Sequence, residues 1–178
     1  SEIFGERNND TYNNKFFGFS LKSPKDWNHK SNEDIKKSVE KGLELYKTDN
    51  EKNNKELSDS TKQEILIFSA ESLNKDRNFG IGTAKQTNRF VIPKLVTQKA
   101  KEIFLGNENV KLVEDIKEVN INGINYSTFA IISFDRIKTR VYVTVKKGYS
   151  ISFVQTFVNS DGENELNKIM QSVNFDKR

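Results

Sequence analysis

The sequence predicts an antiparallel α+β domain, a β-sheet sandwiched by helices, with elements in the order β-α-β-α-ββββ-α. Three observations predict it. Residues 110–158 hold four strand-like runs separated by Asn122-Gly123, Asp135-Arg136 and Lys147-Gly148, and Asn-Gly between two such runs is the strongest short hairpin signal. Three other segments space their apolar residues for helices and carry start or stop residues at their ends. The length of 178 residues suits one core, and a meander mixed with helices reads as α+β.

The elements follow in order. Residues 15–22 alternate Phe17, Phe19 and Leu21 with Gly18 and Ser20, the period-2 pattern of a half-buried strand. Ser31 and Asp34 resemble a capping box, and Ile35, Val39, Leu43 and Tyr46 behind them predict a helix over about 32–47. Gly42 inside that helix implies a close packing contact. Residues 48–63 carry almost no apolar side chain and read as a long solvated loop. Residues 64–70 place Ile65, Leu66, Ile67 and Phe68 in succession, as a central strand covered on both faces does. Residues 74–87 show little periodicity. Pro93, Val96, Ala100 and Phe104 then predict a second helix with Pro in its first turn and Gly106 past its end. In the third run of the meander, Ile137, Val141, Val143 and Val145 share one face. The other face, Lys138, Arg140, Tyr142, Thr144 and Lys146, is wetter. Ser160 with Glu163 forms a capping box before the apolar stripe Leu166, Ile169, Met170 and Val173 of a third helix.

Composition excludes more than it identifies. Lys plus Arg number 29 and Asp plus Glu 25, a net charge of +4, and acidic residues interrupt nearly every basic stretch. No nucleic-acid binding is expected from that pattern. The absence of Cys rules out disulfides, thiol catalysis and thiolate metal sites. Apolar runs stop at about four residues, against the roughly 20 that a spanning helix needs. Ser1 in place of Met implies a processed or a trimmed chain, from which any upstream targeting segment or lipid-attachment Cys has gone. Residues 1–14 are polar and read as a tether to such an anchor, with one domain over 15–178. The bias toward Asn, Lys and Ile is that of an AT-rich bacterial genome.

Candidate chemistry is sparse. His29 is the single His and reads as a surface or turn residue, since a metal site or triad needs convergent partners. Gly80-Ile81-Gly82-Thr83 lacks the Lys-Ser/Thr and the helix start that a phosphate loop requires. Asn159, Asp161, Glu163 and Glu165 offer oxygen ligands at alternate positions but not the loop of a calcium-binding hand, and helix capping accounts for them. No cofactor and no metal are expected. Asn9-Asp10-Thr11 and Asn125-Tyr126-Ser127 match the glycosylation pattern, which Asn-rich chains do by chance. Lys138, Arg140, Tyr142 and Lys146 combine cation donors with an aromatic on one strand face, the best candidate surface for a protein or anionic envelope component.

The run Phe16-Phe17-Gly18-Phe19-Ser20-Leu21-Lys22-Ser23-Pro24-Lys25-Asp26-Trp27 resembles the aromatic start of PsbP-like proteins, which ends in Pro and Trp. The closing Gly148-Tyr149-Ser150-Ile151-Ser152-Phe153, acidic cap, short helix and Ser172-Val173-Asn174-Phe175 are similar too. The resemblance covers about 12–176 and implies an antiparallel sheet between helices. Among the family are extrinsic photosystem subunits, a Ran-binding nucleotide-release factor and uncharacterised secreted lipoproteins of Gram-positive bacteria. No photosystem metal-binding or Ran-binding motif maps onto this chain, and the lipoprotein branch fits its composition best. The expectation is a non-enzymatic extracytoplasmic binding or assembly domain, touching the membrane only through a removed lipid anchor. The competing expectation is a hydrolase of an envelope polymer using paired carboxylates.

Overall fold

The computed structural model describes residues 2–177. Four strands, β1 (Glu6–Asn8), β2 (Thr11–Asn14), β3 (Phe19–Lys22) and β11 (Asn174–Phe175), form a small sheet in the order β1-β2-β3-β11. Seven more form the main sheet: β4 (Asn28–His29), β5 (Ile65–Glu71), β6 (Arg77–Lys85), β7 (Val110–Ile121), β8 (Ile124–Ser133), β9 (Ile137–Lys146) and β10 (Tyr149–Phe157). Their order is β4-β5-β6-β10-β9-β8-β7, antiparallel throughout. The helices are α1 (Asn32–Leu45), α2 (Glu51–Gln63), α3 (Pro93–Leu105) and α4 (Ser160–Gln171). The antiparallel α+β architecture is the one the sequence predicts.

Local chemistry sets the meander. Asn122 and Gly123 have φ of 52° and 84°, and Lys147 and Gly148 have 52° and 77°. Paired left-handed residues make the two-residue turn whose twist matches the flanking strands. The middle connection is longer, with Phe134 and Asp135 both at φ 55°.

Each face of the main sheet has its own cover. On one, the small sheet and α4 pack a continuous aromatic core in which Phe19 meets Phe153 at 5.5 Å and Tyr126 meets Phe153 at 5.9 Å. Leu166 and Met170 of α4 lie fully inside it. On the other face, Phe129, Ile131, Val141 and Val143 pack under Val96, Ala100 and Phe104 of α3, and α1 and α2 extend the cover toward β5.

Several expectations need correction. Residues 48–63 are largely helical, not a loop. Asn50 accepts from the Asn53 N–H to cap α2, and Lys55 and Asp59 pair along it. The low apolar content is that of a helix whose stripe has shrunk to little more than Leu57. Residues 74–87 contain β6, a strand at the middle of the sheet whose alternation is broken by Gly80 and Gly82. The opening strand begins at Phe19, four residues later than expected, because Gly18 at φ 70° turns the chain before it. Residues 2–14 are folded, not a free tether: Ile3 and Tyr12 are buried, and Asn14 donates to the Ile3 carbonyl at 2.8 Å. Ser1 lies outside the described residues. A Cβ at Gly42 would meet nothing within 4 Å, so no close contact selects that glycine. Asn159, not Ser160, caps α4 by accepting from the Gly162 N–H.

Candidate functional site

The β9 residues singled out from sequence are divided among three environments. Eight residues of strand span about 26 Å, and the ends of the stripe serve different neighbours. Lys138 is exposed. Lys146 lies 4.5 Å from the Phe175 ring centroid in a cation–π contact. Arg140 and Tyr142 face a cleft of about 340 Å³ under α4, shared with Glu114, Lys117, Thr128 and Glu163. The structure therefore brings together two of the four predicted residues.

That cleft is electrostatically closed. The Arg140 guanidinium donates to Glu163 at 2.9 Å and lies 3.6 Å from Glu114. Lys117 pairs with Glu114 as well. The Lys117 hydrogen bond holds the Glu114 carboxyl below its ordinary range, with the Lys117 and Arg140 charges adding to the effect. Two register shifts in β7, at Leu112/Glu114 and Glu114/Lys117, flank Glu114, and bulges commonly re-aim side chains in this way. A glycoside hydrolase needs one carboxyl kept protonated. Glu114 is held in the opposite state, and its neighbour Glu163 is spent on the same arginine.

A second ion-paired cluster lies beside the same N-terminal end of α4. Asp76 accepts two hydrogen bonds from Arg77, both at 2.8 Å, and others from Ser72 and Asn159. The Arg77 hydrogen bonds are the main cause of a carboxyl lowered to about 2. Glu165 stands 3.7 Å from Arg77. Of the acidic stretch at 159–165, Asn159 caps the helix and Glu163 and Glu165 face arginines. Among the described residues no group of three His, Asp or Glu is placed to hold a metal.

His29 is half-buried on the edge strand β4 rather than free at the surface. Its Nδ1–H donates to the Trp27 carbonyl at 3.0 Å, so Nε2 accepts from the Ser23 hydroxyl at 3.0 Å. Burial, and next the Arg7 charge, push its pKa down. The neutral ring thus pins the turn that follows Pro24. Gly80 and Gly82 lie within β6 and form no loop.

The most ligand-like feature escaped the sequence reading. Between the sheet and α1–α3 run two crevices, of about 590 Å³ beside α1 and α2 and about 240 Å³ beside α3. Clefts of roughly 300–1,000 Å³ hold small organic ligands. The larger is lined by Ile35, Val39, Leu43, Leu57, Phe104 and Val154, the smaller by Val91, Leu95, Val141 and Val143 over a floor of Gly82, Ala84, Ser150 and Ser152. Glu64, at the junction of α2 and β5, lines both. Its carboxylate rests on Gly82, where any Cβ would overlap it. Burial raises its pKa. At the mouth of the smaller crevice Phe90, Ile92 and Leu95 are 71%, 51% and 50% exposed, with Arg89, Lys94 and Lys99 exposed among them. A cluster Phe90-Val91-Ile92 beside Arg89 was the available signal.

No family model matches the chain, and no curated protein matches it. Solved structures do. The solution structure of cyanobacterial PsbP (CyanoP) from Synechocystis sp. PCC 6803 is similar with a TM-score of 0.56 at 12% identity, over 93% of this chain and 91% of that chain. A crystal structure from Bacteroides thetaiotaomicron VPI-5482 aligns with a TM-score of 0.45 at 16% identity, over 89% of this chain and 45% of that one. The likeness to CyanoP is one of architecture: the chain has a PsbP-like α+β fold.

Proposed function

We propose that the protein is a non-enzymatic binding domain of the cell envelope, extracytoplasmic and lipid-anchored in its full-length form, that recognises an anionic envelope component. The observation that carries this reading is the rim of the smaller crevice. Three large apolar side chains stand exposed together with three cations, and exposed apolar clusters of this kind mark interaction surfaces. The mixture of aromatic, aliphatic and basic groups suits a partner with both apolar and acidic parts. It also moves the expected binding surface from Lys138, Arg140, Tyr142 and Lys146 to the start of α3.

The pairing of Arg140 with Glu114 and Glu163 favours binding over carboxylate-dependent hydrolysis. What supports the compartment is the Asn/Lys-rich composition, which fits the secreted-lipoprotein branch of the PsbP-like proteins that the opening and closing motifs resemble.

Co-sedimentation with isolated envelope tests the reading. The purified protein is expected to pellet with the envelope and to release no soluble fragments from it. Replacing Phe90, Ile92 and Leu95 together by Ser should leave it in the supernatant. Fragment release that disappears in Glu114→Gln or Glu163→Gln would instead establish the hydrolase. Radiolabelled fatty acid incorporated into the full-length protein in its host, and its recovery with membranes, would check the anchor.

A further inference from the structure

Glu64 is the one carboxylate among the lining residues of either crevice in the helical layer. It follows the last residue of α2, and its own backbone N–H is taken up by the Thr61 carbonyl. The C-terminal end of a helix is negative, so a carboxylate there adds like charge to like. Lys36 of α1 and Lys99 of α3 line the same crevices. Among the described residues neither forms an ion pair with Glu64, and burial alone shifts the carboxyl, with no cation offsetting it. Once ionised, a carboxylate in this apolar crevice, beside a helix end of the same sign, would stand uncompensated, and a cation would compensate both. The walls meanwhile are aliphatic and aromatic, including Val39, Leu43, Leu57 and Phe104.

Beyond the anionic partner proposed for the rim, we propose that the larger crevice holds an amphiphile with one alkyl chain and an ammonium head, the chain lying between α1, α2 and the sheet and the head paired with Glu64 at the end of α2. The sequence carries the floor that the arrangement needs. Gly82 leaves space for the carboxyl, while Ala84, Ser150 and Ser152 floor the adjoining smaller crevice. Ser150 is already satisfied, since it accepts from Gln86 at 3.0 Å, so the carboxylate of Glu64 is the group left to fix a head.

Isothermal titration with dodecylammonium, dodecanol and dodecanoate, each below its micellar concentration, tests this. Saturable binding of dodecylammonium is expected, roughly tenfold or more tighter than dodecanol, with dodecanoate weakest. Because burial raises the Glu64 pKa and an ammonium head favours the ionised carboxylate, dodecylammonium binding should strengthen as pH rises while dodecanol binding should not. Glu64→Gln should bring the ammonium and the alcohol to within about twofold of each other and abolish that pH dependence. Gly82→Ala, which pushes the carboxyl from its seat, should weaken the ammonium selectively. Thermal melts confirm that each variant is folded. Absence of saturable binding, equal affinity for all three headgroups, or an ammonium preference retained in Glu64→Gln would overturn the proposal. Any of these with envelope co-sedimentation intact would remove this ligand and leave the binding function standing. Loss of co-sedimentation by the wild-type protein would remove the function itself.

Discussion

The two faces of the main sheet are built from the same strands and end in opposite states. On β6 and β10 the residues pointing toward α4 are large, Phe79, Ile81, Ile151, Phe153 and Phe157, and all are buried. Most of their alternates, Gly80, Gly82, Ala84, Ser150 and Ser152, face the other layer and are small, with Val154 the larger exception. Alternation along a strand assigns each set to one face, so a single pair of strands makes a filled core on one side and a hollow on the other. The helices follow suit. The α4 helix buries Gly162, Leu166, Ile169 and Met170, while α1 buries Ile35 alone and α2 nothing. Stability and vacancy are thus separated by residue parity, and the hollow face is where the molecule has room for a partner.

The largest test of that contrast is truncation of one leucine on each side. Leu166→Ala removes a fully buried side chain and should cost about 2–5 kcal/mol in urea unfolding. Leu57→Ala, at the half-buried wall of the larger crevice, should cost less than about 1 kcal/mol. Similar costs would mean that α2 is as tightly packed as α4. A second test compares helix caps. Asn159→Ala should lower global stability by about 1 kcal/mol, because α4 unfolds only with the core. Asn50→Ala should mainly speed hydrogen exchange in α2, with little change in the global midpoint.

The third test is pH. Glu64 has a folded pKa raised by burial, so the folded state holds a proton that the unfolded chain gives up. Stability tied to this group is fully present below the ordinary glutamate range and is lost as pH rises through the folded value. Glu64→Gln should therefore match the wild type near pH 4 and melt higher near pH 8, by about 2–4 °C for each kcal/mol in a chain of this size. Asp76 works in the reverse sense. Lowered to about 2, chiefly by the Arg77 hydrogen bonds, it supports the fold above the ordinary aspartate range and loses that support as pH falls toward 2. Asp76→Asn should leave melting near pH 8 lower than wild type and erase part of the acid slope, by a smaller amount since its side chain is near the surface.

These differences also explain what was legible in the sequence. The meander announced itself because Asn122-Gly123 and Lys147-Gly148 can do little else but turn, and because Val141 and Val143 alternate with polar neighbours. Helices α1 and α3 showed their stripes and caps. By contrast α2 keeps only Leu57 and Thr61 toward the crevice, too few to print a period. Strand β6 lost its pattern to Gly82, whose reason is a contact with Glu64 that only the folded chain contains. The β9 stripe was read correctly as one face. That Arg140 would be claimed by Glu114 and Glu163, from a bulged strand and a different helix, involves partners 26 and 23 residues away, which no local pattern encodes. Tyr12 was hidden by its polar neighbours, and its burial depends on packing 4.9 Å from Phe68.

The pairing of β3 with β11 carries a consequence for biogenesis. Phe19 lies beside Phe175, and the Lys22 N–H donates to Ser172 across a separation of 150 residues. The edge of β3 that β11 covers stays unpaired until β11 has been made, and contacts so distant along the chain slow folding. Closure of the small sheet therefore waits on Asn174 and Phe175, and the aromatic core beneath it is sealed late.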